Sequence, residues 1–138
     1  MNSHLRTFLV EDSPVIRENL AATLEEILPL KVVGFAEDEA SAVQWLSDPG
    51  NACELGIIDI FLKRGTGLGV LRAIRAANRR VKLVVLSNFA TPEMRRTCLE
   101  LGADEVFDKS NDIEALLRYC AQLAESGTSY AAPLDTAY

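Results

Sequence analysis

Apolar positions along the chain follow two rhythms: short, nearly unbroken runs, and longer stretches in which they recur every three or four residues. The first suits strands and the second suits one face of a helix. Residues 5–10 make the first strand, which breaks at Glu11-Asp12. Ser13-Pro14 then opens a helix, with Ser13 as N-cap and Pro14 at the first helical position. Ile16, Leu20, Leu24 and Ile27 mark its expected inward face, and Pro29 stops it. Residues 31–35 form the second strand. Asp38 caps a helix carrying Ala40, Val43 and Leu46, closed by the Asp48-Pro49-Gly50 turn.

Residues 55–62 are an apolar run interrupted by one carboxylate, Asp59, and lack the alternation of a half-exposed strand. Such a run predicts a central strand of a parallel sheet, covered on both faces. Residues 63–67 form a loop, and Leu68, Leu71 and Ile74 mark a third helix ending near Asn78. Residues 82–86 are the fourth strand, closed by Ser87-Asn88. Thr91-Pro92-Glu93 opens a fourth helix with Met94, Cys98 and Leu101 inward and Gly102 at its end. Residues 104–108 give the fifth strand. Asn111 with Glu114 reads as a capping box for a fifth helix carrying Ile113, Leu116, Leu117 and Cys120. Periodicity fades at Ser126, so residues 1–125 are expected to form one domain and residues 126–138 a flexible tail.

Strands alternating with helices imply right-handed parallel crossovers and a three-layer, doubly wound α/β fold. With the strand order 2-1-3-4-5, the carboxyl ends of the first, third, fourth and fifth strands face one crevice. Those ends supply Glu11-Asp12, Asp59, Ser87 and Lys109. Each has a plain alternative: Asp59 as a turn acid, Lys109 in an ordinary salt bridge, Ser87 capping a turn, and Glu11-Asp12 merely preceding a helix. Taken together they describe chemistry. Three crowded acids repel one another unless a cation sits among them, and a hard, oxygen-preferring ion such as Mg²⁺, or Mn²⁺ in its place, suits such ligands. Lys109 adds a mobile positive charge and Ser87 a hydroxyl donor. The set fits phosphoryl transfer onto Asp59 as the nucleophile.

Composition narrows the alternatives. At 138 residues and 49% hydrophobic content the chain is the size of one domain with a real core. A net charge of −6 argues against general affinity for nucleic acid or anionic membranes. The basic cluster of Arg72, Arg75, Arg79, Arg80 and Lys82 is expected to be a solvated helix face and exit turn. Cys53, Cys98 and Cys120 are odd in number and without short spacing, which predicts reduced thiols. His4, the only histidine, has no partner at catalytic or metal spacing. The N-terminal residues contain no apolar run of signal-peptide length, so a cytoplasmic location is the default expectation.

From about Leu5 to Glu125 the sequence resembles the receiver domains of two-component response regulators, which have a flavodoxin-like fold. The carriers are Leu9-Val10-Glu11-Asp12-Ser13, Ile57-Ile58-Asp59-Ile60, Gly67 eight residues after Asp59, Leu86-Ser87-Asn88, and Gly102-Ala103-Asp104 followed by Lys109-Ser110. The resemblance implies that Asp59 is the phosphoacceptor, that Glu11 and Asp12 are metal-site acids, that Ser87 is the switch hydroxyl and that Lys109 is the site lysine. It also implies that the backbone carbonyl of Phe61 completes the metal shell. A sensor histidine kinase or histidine phosphotransfer protein is the implied phosphodonor, and protein contacts are the implied output. Dimerisation is left open.

Three positions depart from the family pattern. Lys63 replaces a usual proline four residues after Asp59, Ser110 replaces the proline after the lysine, and Val106 replaces the aromatic switch residue. Phe107 lies next to Val106, but neighbours in a strand point to opposite faces, so it cannot take over that role. Phe61 and Phe89 are expected at the site mouth, where large rings would exclude the water that hydrolyses an acyl phosphate, and Asn88 is expected to slow loading by small donors. The leading reading is a stand-alone phosphorylation switch, not a turnover enzyme. Its rivals are a small phosphatase using Asp59 covalently, a receiver cut from a longer DNA-binding regulator, and a receiver-like module that no longer takes phosphate.

Overall fold

The computed structural model describes residues 4–130, with side chains described through residue 126. The strands are β1 (Leu5–Val10), β2 (Leu30–Ala36), β3 (Leu55–Ile58), β4 (Lys82–Ser87) and β5 (Glu105–Asp108). They alternate with α1 (Pro14–Ile27), α2 (Glu39–Ser47), α3 (Gly67–Ala76), α4 (Pro92–Glu100) and α5 (Ile113–Tyr130). All strand pairings are parallel and the sheet order is β2-β1-β3-β4-β5, the order expected for the doubly wound arrangement. Among the described residues, no helix is long and apolar enough to cross a membrane.

Two apolar layers sandwich the sheet. Phe8, Ile58, Leu83, Val85 and Val106 pack on the side of α2, α3 and α4. Leu9, Ile57, Val84, Leu86 and Phe107 pack on the side of α1 and α5. β3 is buried along its whole length, which explains why its sequence lacks alternation. Helix starts are fixed by side chains. Ser13, Asp38, Thr66 and Thr91 each accept a hydrogen bond from the amide three residues on, worth about 1 kcal/mol apiece.

Several expectations shift. β3 stops at Ile58, so Asp59 sits just past the strand end. On α1, Ile16 and Ile27 are 41% and 57% exposed, whereas Arg17 is buried with Leu24. The inward face is thus rotated by one residue, because Arg17 finds partners inside that a hydrocarbon would lack. On α2, Ala40 is exposed while Ala42 and Leu46 are buried, and Trp45 stacks on Phe8 with ring centroids 4.3 Å apart.

The basic cluster is not simply a solvated face. Arg75 donates to the carbonyls of Gly102 and Val81 and pairs with Asp104, and Arg79 donates to the carbonyls of Leu46 and Asn51. α5 starts one residue later than expected, so Asp112 rather than Asn111 precedes it. The helix also runs to Tyr130, into the segment expected to be a flexible tail, and residues 131–138 lie outside the described residues. The three cysteines are free, and burial pushes the thiols of Cys53 and Cys120 up to about 11 and about 12, as suits inert structural thiols.

Candidate functional site

Strand register assembles the site. Val10 is level with Ile58, so the next residues, Glu11 and Asp59, leave neighbouring strands side by side. Ser87 is level with Asp108, which puts Lys109 one step beyond the end of β5. The Lys109 amide donates to the Ser87 carbonyl (3.0 Å), and the Asp59 amide donates to the Val10 carbonyl (2.9 Å). Gly67 closes the loop after Asp59. Its amide donates to the Ile60 carbonyl at 2.7 Å, and a Cβ there would overlap the Asp59 carbonyl oxygen.

Lys109 Nζ donates to Glu11 Oε1 at 2.8 Å and to Asp59 Oδ2 at 3.1 Å. All three side chains are largely buried, at 16%, 6% and 12% exposure. Burial pulls the Lys109 ammonium down, but the hydrogen bond to Glu11 and the charges of Asp59 and Glu11 outweigh it and carry it upward, so the lysine stays charged. The remaining oxygens are also engaged. Asp59 Oδ1 accepts from the Ile60 amide at 2.7 Å, and Glu11 Oε2 accepts from the Ser13 amide at 3.1 Å.

Asp12 completes the group. One carboxylate oxygen from each of Glu11, Asp12 and Asp59 lies within 4.8 Å of the others. Among the described residues, the Asp12 carboxylate has no hydrogen-bond or ion-pair partner. Three crowded oxygen ligands, one of them unpaired, fit a hard divalent cation.

Ser87 is fully buried and its Oγ accepts from the Phe89 amide at 3.1 Å. Asn88, between them, is exposed. Phe61 and Phe89 are half exposed and meet edge to face, with centroids 4.8 Å apart and planes at 71°. The structure therefore brings the two rings together on adjoining loops.

The response regulator receiver domain family matches residues 7–121. The chain belongs to that family. This receiver domain is 31% identical over 128 residues to a probable transcriptional regulatory protein of Picosynechococcus sp., covering 89% of this chain and 50% of the relative. It is 35% identical over 109 residues to a protein-glutamate methylesterase/protein-glutamine glutaminase of Anaeromyxobacter dehalogenans, covering 76% and 29% respectively. The chain thus spans half the length, or less, of these curated relatives.

Among solved structures, the receiver domain of Francisella response regulator 1452 aligns with a TM-score of 0.79 at 19% identity, over 90% of this chain and 99% of that one. A Burkholderia pseudomallei response regulator solved with a phosphorylated aspartic acid, a calcium ion and citrate aligns with a TM-score of 0.72 at 20% identity, over 92% and 72%. At such identities these likenesses establish the fold.

The three departures have structural answers in this receiver. Val106 is buried against α4's side of the sheet, while Phe107 faces the other layer with its ring 5.9 Å from that of Tyr119. Phe107 therefore does not replace the missing aromatic. After the lysine, Asp108 Oδ1 accepts from the amides of Ser110 (2.7 Å) and Asn111 (3.2 Å), and a proline at 110 could not donate the first bond. Lys63 Nζ is 3.1 Å from Glu37 Oε1, and the hydrogen bond from Lys63 heads the influences that hold the Glu37 carboxyl below its ordinary range. Periodicity overlooked Arg17, Glu37 and Glu39. Glu39 Oε1 accepts from the Thr66 amide at 2.9 Å and so pins the loop before α3. The available signal was Arg17's place seven residues before buried Leu24, on the same side of the helix.

Proposed function

We propose that this receiver accepts one phosphoryl group on Asp59 from a sensor histidine kinase or histidine phosphotransfer protein and signals through protein contacts. The observation that supports it most is Lys109 bridging Glu11 and Asp59 beside the unpaired Asp12. An Asp59 carboxylate oxygen attacks phosphorus, the phosphorus–nitrogen bond of the donor phosphohistidine breaks, and its electron pair returns to the imidazole. Lys109 then passes from Asp59 to a phosphoryl oxygen without leaving Glu11. The Ser87 hydroxyl, held at the end of β4, donates to another.

Glu11, Asp12, Asp59 and the Phe61 backbone carbonyl would hold Mg²⁺ or Mn²⁺. When bound, the cation neutralises the acids and the phosphoryl oxygens. In this reading the receiver acts in the cytoplasm and makes no direct contact with nucleic acid. It stops at one phosphate per chain. A stoichiometric, hydroxylamine-sensitive label from a small phosphodonor supports this reading, whereas repeated hydrolysis of an organic phosphate ester would replace it with the covalent phosphatase.

A second reading is favoured by the Picosynechococcus relative, of which the match covers 50% and which is named as a probable transcriptional regulatory protein. In it, the same site is the input half of a longer DNA-binding protein. The reading frame around the coding sequence separates the two.

A further inference from the structure

Arg17 is buried at 8% exposure, and the chemistry proposed for the site does not use it. Its guanidinium carbon lies 3.9 Å over the Phe35 ring. Its Nη1 donates both to the Glu11 carbonyl at 3.0 Å and to Glu37 Oε2 at 3.3 Å. The other oxygen of Glu37 accepts from Lys63 Nζ at 3.1 Å, and the Lys63 amide donates to the Glu37 carbonyl at 3.3 Å. Lys63 stands four residues after Asp59 and two after Phe61. One carboxylate thus ties the loop that carries Glu11 and Asp12 to the loop that leaves Asp59.

We propose that Arg17, Glu37 and Lys63 form a positioning relay that sets the spacing of these two loops and thereby the affinity of the acid cluster for a divalent cation. The relay rests on the metal-assisted reading of the site given above. Groups that hold metal ligands from behind typically change affinity by about 10- to 100-fold when lost. Arg17 is such a group, because it grips the backbone of Glu11 from a buried position. Lys63 is 55% exposed, so its share is smaller, about threefold.

Charge and positioning predict opposite signs here. Removing a positive side chain near three acids should tighten Mg²⁺ binding by Coulomb's law alone, whereas removing a strut should weaken it. The experiment is calorimetric titration of the full chain with Mg²⁺, without phosphodonor, for the parent and for Arg17→Met, Lys63→Met and Lys63→Arg. Amide exchange of residues 61–66 is followed in parallel in metal-free protein.

The relay predicts about tenfold weaker binding for Arg17→Met, about threefold weaker binding for Lys63→Met with faster exchange, and parent-like behaviour for Lys63→Arg. Lys63→Met keeps the test decisive if Arg17→Met fails to fold. Equal or tighter binding by Lys63→Met overturns the relay. A parent that binds no Mg²⁺ overturns instead the reading of the site on which the relay depends.

Discussion

Gly67 is demanded by crowding rather than by an unusual turn, since a Cβ would overlap the Asp59 carbonyl oxygen. Gly67→Ala should therefore displace the Asp59 backbone, costing about 1–3 kcal/mol of stability and slowing labelling. Urea unfolding with rate-resolved labelling checks this, and unchanged values for both would show that the loop absorbs the methyl group. The Phe61–Phe89 pair concerns lifetime. If the rings keep an in-line water away, phosphate on Asp59 should decay faster in a Phe61→Asn, Phe89→Glu double variant than in the parent. An equal or slower decay would remove shielding from the account. Glu11, Asp12, Ser87 and Lys109 were legible because each stands where an apolar run ends, and Asp59 because it is the one carboxylate that interrupts such a run. Arg17 was not, because periodicity counts hydrocarbon side chains and passes over a cation buried by its hydrogen bonds.

Among the elements, α1 shows what amphipathic spacing leaves undecided, since two registers one residue apart fit its apolar positions. The buried arginine selects the one that exposes Ile16 and Ile27. α4 is tied to the start of α5 by Arg95, which donates to Asp112 at 2.9 Å, while the same Asp112 oxygen accepts from the Asp108 amide. The Asp108 hydrogen bond first, and Arg95 second, hold the Asp112 carboxyl below its usual range. A carboxyl depressed in the folded state stabilises above its unfolded pKa, about 3.9, and loses that effect as pH falls through the folded value. Asp112→Asn should therefore be less stable than the parent at neutral pH, with a gap that narrows below about pH 4. Denaturant unfolding across that range tests the tie, and a pH-independent gap would refute it. With Val106 in place of an aromatic switch, phosphorylation should alter amide exchange most in the loop after Ser87, along with α4, β5 and α5. Changes confined to α1 and α2 would contradict that.

For the whole molecule, five strand–helix units pointed to a doubly wound parallel sheet, because parallel crossovers of one hand leave few topologies, and the order 2-1-3-4-5 taken for it is the one the structure has. That order in turn placed the crevice. The far end of α5 was less legible, since Ser126, Gly127, Thr128 and Ser129 carry little helical signal although the helix continues to Tyr130. What joins the loops around the site was hidden as well, because contacts such as Glu37 to Lys63 span 26 residues and leave no local pattern. The central claim is that one carboxylate, Asp59, takes one phosphoryl group with the help of a divalent cation. Intact-mass measurement of the parent and Asp59→Asn after incubation with a small phosphodonor, with Mg²⁺ and with chelator, tests it most directly. The account predicts a gain of one phosphoryl group for the parent with Mg²⁺ only, and none for Asp59→Asn. Equal labelling of the two proteins, or labelling of the parent that ignores the chelator, would contradict it.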